Sequence, residues 1–280
     1  MMELDDVLSR AHARGEEGDW EGMAELLYEH AEDFDDEPAF HCWLGVAERE
    51  LGLDGMAYER FRHSLALNPE DPYVLAMAGN GVAAFDDPDA EQALRTAALL
   101  GPEVSLTHLL YGAYLAREGL FDEAVRELTR ARELDPDEPQ GAYELGVAHA
   151  LAGRMEMAAD ALGDAVSLEP DSAWNRVVFG LVLLEGQRWE EALGELMEGA
   201  VLEPDDVEAQ LAAGLAAAAS GREESGLEML ERARFRALDE DQEVIMTVEE
   251  RIDAGADSAR ALLVEEMAPD MLRRRLAERP

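Results

Sequence analysis

A glycine returns on one beat through most of this 280-residue chain. Gly45, Gly79, Gly112, Gly146, Gly180 and Gly214 are separated by 34, 33, 34, 34 and 34 residues. Prolines keep the same beat at Pro69, Pro102, Pro136, Pro170 and Pro204. So do small residues at Ala57, Ala90, Ala124, Ala158, Ala192 and Gly226. Four residues beyond each of these stands a large apolar one: Phe61, Leu94, Leu128, Leu162, Leu196 and Leu230. Series locked to one period mean copies of one supersecondary unit, which buries its apolar face only by stacking on its neighbours.

Each unit reads as two antiparallel helices joined by a tight turn. The glycine of the first helix and the alanine of the second are small because the two backbones cross there, and the large residue one turn later fills the space beside them. The proline ends the second helix, since it cannot continue one and restricts the residue before it. Gly52, Gly119 and Gly153 stand where a helix C-terminus takes a left-handed residue. Acidic residues follow them, favoured at the opening of the next helix. The period and the order Gly, Ala-x-x-x-Phe/Leu, Pro resemble the tetratricopeptide repeat. The likeness is clearest over 139–172, with Tyr143, Leu145-Gly146, Ala158, Leu162, Ala165 and Leu168-Glu169-Pro170. It implies an all-α fold, a right-handed superhelical solenoid of antiparallel helix pairs.

The phase divides residues 4–240 into about seven repeats: 4–37, 38–71, 72–104, 105–138, 139–172, 173–206 and 207–240. The first is degenerate, with Ala11, Met23 and Asp35 in place of glycine, alanine and proline, but Gly18-Asp19-Trp20 still reads as its turn. The 72–104 unit is one residue short, and Phe85-Asp86-Asp87-Pro88-Asp89 places the deletion in the turn between its helices. Leu238 replaces the last proline. Residues 241–280 read as three helices, roughly 241–253, 257–267 and 269–278, forming a helical cap or a degenerate repeat. Ile245, Val248 and Ile252 share one stripe of the first.

The charge balance excludes whole classes of partner. With 64 acidic and 23 basic residues the formal net charge is −41, and every basic residue is arginine. Such a field repels nucleic acid and anionic membranes, which bind basic patches. At molar salt the screening length falls to about 3 Å and self-repulsion fades. This acid-rich, lysine-free composition is similar to that of cytosolic proteins from salt-accumulating halophiles. Cys42 is alone, so no intrachain disulfide forms, which suits a reducing compartment. The first residues lack the basic and apolar regions of a signal peptide. The apolar stretches 177–184 and 211–219 are too short to span a bilayer as helices. A cytoplasmic location follows from this reading, and self-association is left open.

No constellation points to catalysis. Gly-x-Ser-x-Gly, Cys-x-x-Cys and His-Glu-x-x-His are absent, and the glycines are repeat punctuation. His12, His30, His41, His63, His108 and His149 include no pair spaced four apart. Glu59 and His63 are so spaced and read as an exposed helix contact. His41 and Cys42, adjacent on a helix, point about 100° apart and do not converge on one ion. Acid runs such as Asp35-Asp36-Glu37 lie in turns without calcium-loop spacing. Arg273-Arg274-Arg275 and Arg279 close the last helix, complement its dipole and oppose the acidic body. The expectation is no catalytic residue, no cofactor and no metal.

The resemblance implies instead a concave groove lined by the first helices of successive units, which holds a protein or peptide. With each glycine setting the phase, the residues three before it and one after it face inward, with others one turn to either side. The expected lining is Tyr73, Ala76 and Asn80; Leu109, Ala113 and Arg117; Tyr143 and Val147; Trp174, Val177, Leu181 and Leu184; Leu211 and Leu215. So apolar a surface suits an apolar peptide or amphipathic helix, with Trp174 and the tyrosines as anchors. The family variant that clamps acidic chaperone tails needs a lysine where this chain has Ala76, although Asn80 matches its asparagine. The function expected is a protein-interaction scaffold or adaptor. Alternatives are a peptide sensor gated by its own C-terminal helices, and an accessory subunit of an enzyme complex.

Overall fold

A computed structural model describes residues 3–278. The described residues contain helices and no strand, and no helix is long and apolar enough to cross a membrane. The chain divides into two compact units, Met1–Glu118 with Arg126–Asp135, and Gly119–Val125 with Pro136–Pro280.

In the first unit α1 (Leu4–Glu16) packs on α2 (Trp20–Glu29), α3 (Pro38–Glu50) on α4 (Asp54–Ala66), and α5 (Pro72–Ala83) on α6 (Ala90–Leu100). Helix α7 (Ser105–Arg117) lies against α5 and α6, and α8 (Phe121–Leu134) is divided between the units. The first helices α1, α3, α5 and α7 touch in succession, so their free faces join into one surface. Pro38 and Pro72 open α3 and α5 at the position where a missing N–H costs nothing. The Asp71 carboxylate caps α5, accepting from Tyr73 N–H at 2.8 Å.

The second unit repeats the pairing with α9 (Pro139–Leu151) on α10 (Met155–Leu168), α11 (Ala173–Glu185) on α12 (Trp189–Leu202), and α13 (Val207–Ala219) on α14 (Glu223–Arg236). The turn glycine Gly153 has φ +74°, the left-handed conformation expected of it. Helix α15 (Gln242–Asp253) packs on α14 and α13, burying Ile245, Val248 and Ile252. Helix α16 (Ala256–Leu262) runs through a π-turn, Leu263–Met267, into α17 (Ala268–Ala277). Pro269 lies just beyond that turn; it has no N–H to donate, and its ring would crowd the carbonyl one turn back in a regular helix.

The glycine of the first helix makes room first for the large residue of the second, with its backbone close behind: a Cβ on Gly146 would stand 2.6 Å from Leu162 Cγ and 3.2 Å from Leu162 N, and one on Gly112 equally close to Leu128 Cγ and N. Small residues meet most closely in the last pair, where a Cβ on Gly226 would lie 2.8 Å from the Gly214 carbonyl oxygen; a Cβ on Gly180 would lie 3.3 Å from the Ala192 carbonyl oxygen. In the short 72–104 unit Phe85–Asp89 lie in the connection 84–89 between α5 and α6, where the shortening was expected, and α6 begins only at Ala90. Asp87 holds that connection: its carboxylate accepts from Asp89 N–H at 2.9 Å and from the Tyr58 hydroxyl at 2.8 Å, in place of the first turn of α6.

Candidate functional site

The joined face of the first unit carries a row of aromatic rings. His12 of α1 meets Trp43 of α3 edge-on, ring centroids 4.0 Å apart, and Trp43 stacks on Tyr73 of α5 at 5.8 Å. They line a cleft of about 690 Å³ with Leu4, Leu8, Trp20, Met23 and Val74. Asp5, Glu16 and Asp71 stand at its rim. The volume lies in the range of sites that hold a small ligand or an anchoring side chain. His12 Nε2 is buried and has no hydrogen-bond partner among the described residues. Burial holds the His12 imidazole below its ordinary pKa, against the opposing pull of Glu16, so it is neutral near pH 7.

Of the residues expected to face inward here, Tyr73 is 38% exposed and lines the cleft. Asn80 and Ala113 are half-buried, and Arg117 is exposed at the end of α7. Ala76 and Leu109, each three before a glycine, are buried, as is Cys42 at the same position. One residue later Trp43 and Met77 reach the surface, both half-buried, whereas Leu110 stays buried. Neighbouring first helices pack so closely that the inward residue sinks between them. One step around the helix, about 100°, brings the next side chain up to the rim. His12, Trp20 and Trp43 escaped the sequence reading; the available signal was two tryptophans and a histidine within one turn of the glycine phase or the repeat turn.

In the second unit the expected lining is not open. Tyr143, Val147, Val177, Leu181, Leu184, Leu211 and Leu215 are all buried, and only Trp174 is half-buried. The cover is the chain's own: α16 and the π-turn pack on α13, and α17 packs on α11. Leu262, Leu263, Met271, Leu272 and Leu276 enter the same core as Val177 and Leu211. Polar clamps frame the contact. The Arg275 guanidinium lies 4.8 Å from the Trp174 ring centroid and pairs with Asp206, while Arg274 pairs with Glu208. Trp174 Nε1–H donates to the Tyr143 hydroxyl at 2.8 Å. The arginine triplet thus closes on acids of the body, apart from Arg273, which pairs with Asp270 of its own helix. Arg279 lies outside the described residues.

No protein-family model matches the sequence, and no curated protein matches it. Solved structures do match. A chain of the APC/C hetero-tetramer Cut9–Hcn1 superposes with TM-score 0.68 over 86% of this chain at 17% identity; the match takes in 48% of that chain, so the present chain spans about half its length. Pseudomonas aeruginosa PilF gives 0.60 over 71% of this chain and 90% of its own at 16% identity. TTC0263, a thermophilic TPR protein in Thermus thermophilus, gives 0.53 over 62% of this chain and 98% of its own at 22% identity. At these identities the likeness is one of fold, and the fold is the helix-pair solenoid of tetratricopeptide-repeat proteins.

Proposed function

We propose that the chain is a protein-interaction scaffold whose working surface is the cleft at Trp43 and Tyr73. The partner is an amphipathic helix or apolar peptide that inserts an aliphatic or aromatic side chain among His12, Trp43 and Tyr73. It carries arginine or lysine beside that anchor, to meet Asp5, Glu16 and Asp71. The observation that carries this reading is the row of partly exposed rings around a formed cleft, since such rings desolvate well and supply most of the energy of an interface. Asn80, Ala113 and Arg117 would extend the surface along α5 and α7. The division of 4–240 into seven repeats, with 241–280 as a cap, belongs to this reading, as does a reducing, salt-rich cytoplasm.

Selection from a library of displayed helical peptides tests it in molar KCl. The peptides recovered are expected to pair an apolar anchor with basic neighbours, and Trp43→Ala or Tyr73→Ala to weaken them at least about tenfold each. Trp174→Ala, in the other unit, leaves their affinity unchanged. Selected peptides that bind Trp43→Ala as tightly as the parent chain would sink the proposal.

A second reading rests on the docking of α16 and α17 over α11 and α13: the tail occupies a site that an exogenous helix takes when the tail leaves. A chain ending at Gly255 is expected to bind a synthetic 256–278 peptide, and the full chain to refuse it. Refusal by both ends that reading and leaves the cleft proposal untouched.

A further inference from the structure

The two helices of the α3/α4 hairpin bring together residues that the sequence keeps apart. His41 lies in the first turn of α3 and is 1% exposed; His63 lies in the last turn of α4 and is exposed. Their rings meet edge-on with centroids 4.2 Å apart. Asp35, from the connection between α2 and α3, lies against both. His41 Nε2 is 2.8 Å and His63 Nε2 is 3.4 Å from the Asp35 backbone oxygen, and the Asp35 carboxylate is 3.9 Å from His41 Nε2. One ligand atom from each of the three residues lies within 4.8 Å of the others. Both Nε2 atoms donate toward the same Asp35 backbone oxygen with the carboxylate beside it, so a cation bound by them would replace these two hydrogen bonds and leave each ring's proton on Nδ1.

We propose that Asp35, His41 and His63 form a binding site for a divalent transition-metal ion, with zinc the closest fit. Two imidazoles and one carboxylate are borderline ligands that suit zinc, cobalt and nickel and are poor for magnesium or calcium, which take all-oxygen shells. Zinc bonds of about 2.0–2.1 Å put tetrahedral ligand atoms roughly 3.3 Å apart, so the present spacing closes by about 1.5 Å at most. The burial of His41 fixes one corner. Asp35, whose side chain is 74% exposed, and the exposed His63 supply the movement. The Ser64 hydroxyl donates to the Pro38 carbonyl at 2.8 Å and holds the two helix ends in place beside the site.

The surroundings set the strength. His41 Nε2 donates to the Asp35 backbone oxygen, so a metal at Nε2 requires the ring's other tautomer, with its proton on Nδ1. His41 Nδ1 is buried with no hydrogen-bond partner among the described residues, so these supply no outer-shell acceptor of the kind that normally steadies a metal-bound histidine. That places the affinity about 10–100-fold below that of a site with the acceptor, within reach of direct titration.

Cobalt titration of the full chain tests the assignment. The buffer holds molar KCl and millimolar magnesium, so that the many surface carboxylates are already occupied. The expected result is one equivalent of cobalt with the intense visible band of tetrahedral coordination, displaced by zinc, and a melting temperature raised by several degrees. His63→Gln, an exposed change that leaves the hairpin core alone, and Asp35→Asn are each expected to weaken binding at least tenfold and abolish the band. His108→Gln, on α7 and away from the α3/α4 hairpin, retains both. Equal cobalt binding by His63→Gln and the parent chain overturns the proposal, as does the absence of any band in the parent chain.

Discussion

At the scale of single residues, the repeat is enforced by one contact, a glycine under a leucine. A methyl group on Gly146 meets Leu162 Cγ at 2.6 Å and Leu162 N at 3.2 Å; the side chain can turn away, but the backbone atom cannot. Gly146→Ala is expected to cost about 1–3 kcal/mol, as overpacking does, measured as a lower denaturation midpoint with an unchanged slope. A second residue-scale prediction concerns His149. Burial, with Arg154 nearby, holds its folded pKa below the unfolded value of about 6.5. The unfolded chain therefore takes up a proton first as the pH falls. The contribution of His149 is complete above about pH 6.5 and is lost as the pH drops through the interval below it. Replacement by glutamine is expected to flatten part of the fall in melting temperature between pH 7 and 5; an unchanged profile counts against the assignment. His12 and His41, lowered for the same reason, keep the rest of that slope. The glycine positions were legible because period and residue size coincide. Trp43 and His12 were not, because which of two adjacent residues reaches the surface depends on how closely neighbouring helices approach.

At the scale of elements, every helix pair was readable from its punctuation, while the direction of the last helices was not. The apolar residues of α15, α16 and α17 announce burial, but a stripe carries no address. Ile245, Val248 and Ile252 continue the stacking, whereas Leu272 and Leu276 turn back onto α11. The same apolar character that suggested an open groove at Val177, Leu181 and Leu211 in fact marks the seat of the chain's own α16 and α17. Helices α9 and α13, buried nearly all round, carry the corresponding signal, since an open groove would call for a polar or aromatic strip along one side. Arg275 decides the strength of this contact. Arg275→Ala removes a cation from the face of Trp174 and leaves the Asp206 side chain, among the described residues, with the Ala209 N–H, which donates to it at 2.9 Å. The expected loss is about 3 kcal/mol, with faster hydrogen exchange confined to α16 and α17 if they release as one body. Uniformly faster exchange across the second unit would show instead that tail and repeats unfold together.

For the whole molecule, charge dominates. A net charge of −41 spread over 280 residues opposes compaction at low ionic strength. Ion pairs such as Arg274–Glu208 and Arg188–Glu191 sit at the surface, and salt weakens them, but each contributes little. The summed repulsion among unpaired carboxylates is the larger quantity, so the melting temperature is expected to climb steeply between low and molar KCl. Circular dichroism at a series of salt concentrations measures it, and a flat response removes the argument for a saline setting. Composition alone carried this expectation, because charge enters the energy through its total as well as through its neighbours.

The π-turn at Leu263–Met267 has a consequence for tolerance to deletion. Buried residues along the closing helix fall at Ala259, Leu262 and Leu263, then at Ala268, Met271, Leu272, Arg275 and Leu276. From Leu263 to Ala268 is five steps, one more than an uninterrupted helix would need to keep both stretches on the same side. The segment therefore contains one supernumerary residue, absorbed by a local widening of the coil. Removing Glu265 together with Pro269→Ala would return the helix to even winding with both faces still in phase, so a shortened chain of that kind should fold and dock its last turn as before. A single deletion within a regularly wound buried helix instead rotates every later side chain by about 100° and turns its apolar stripe away from the core.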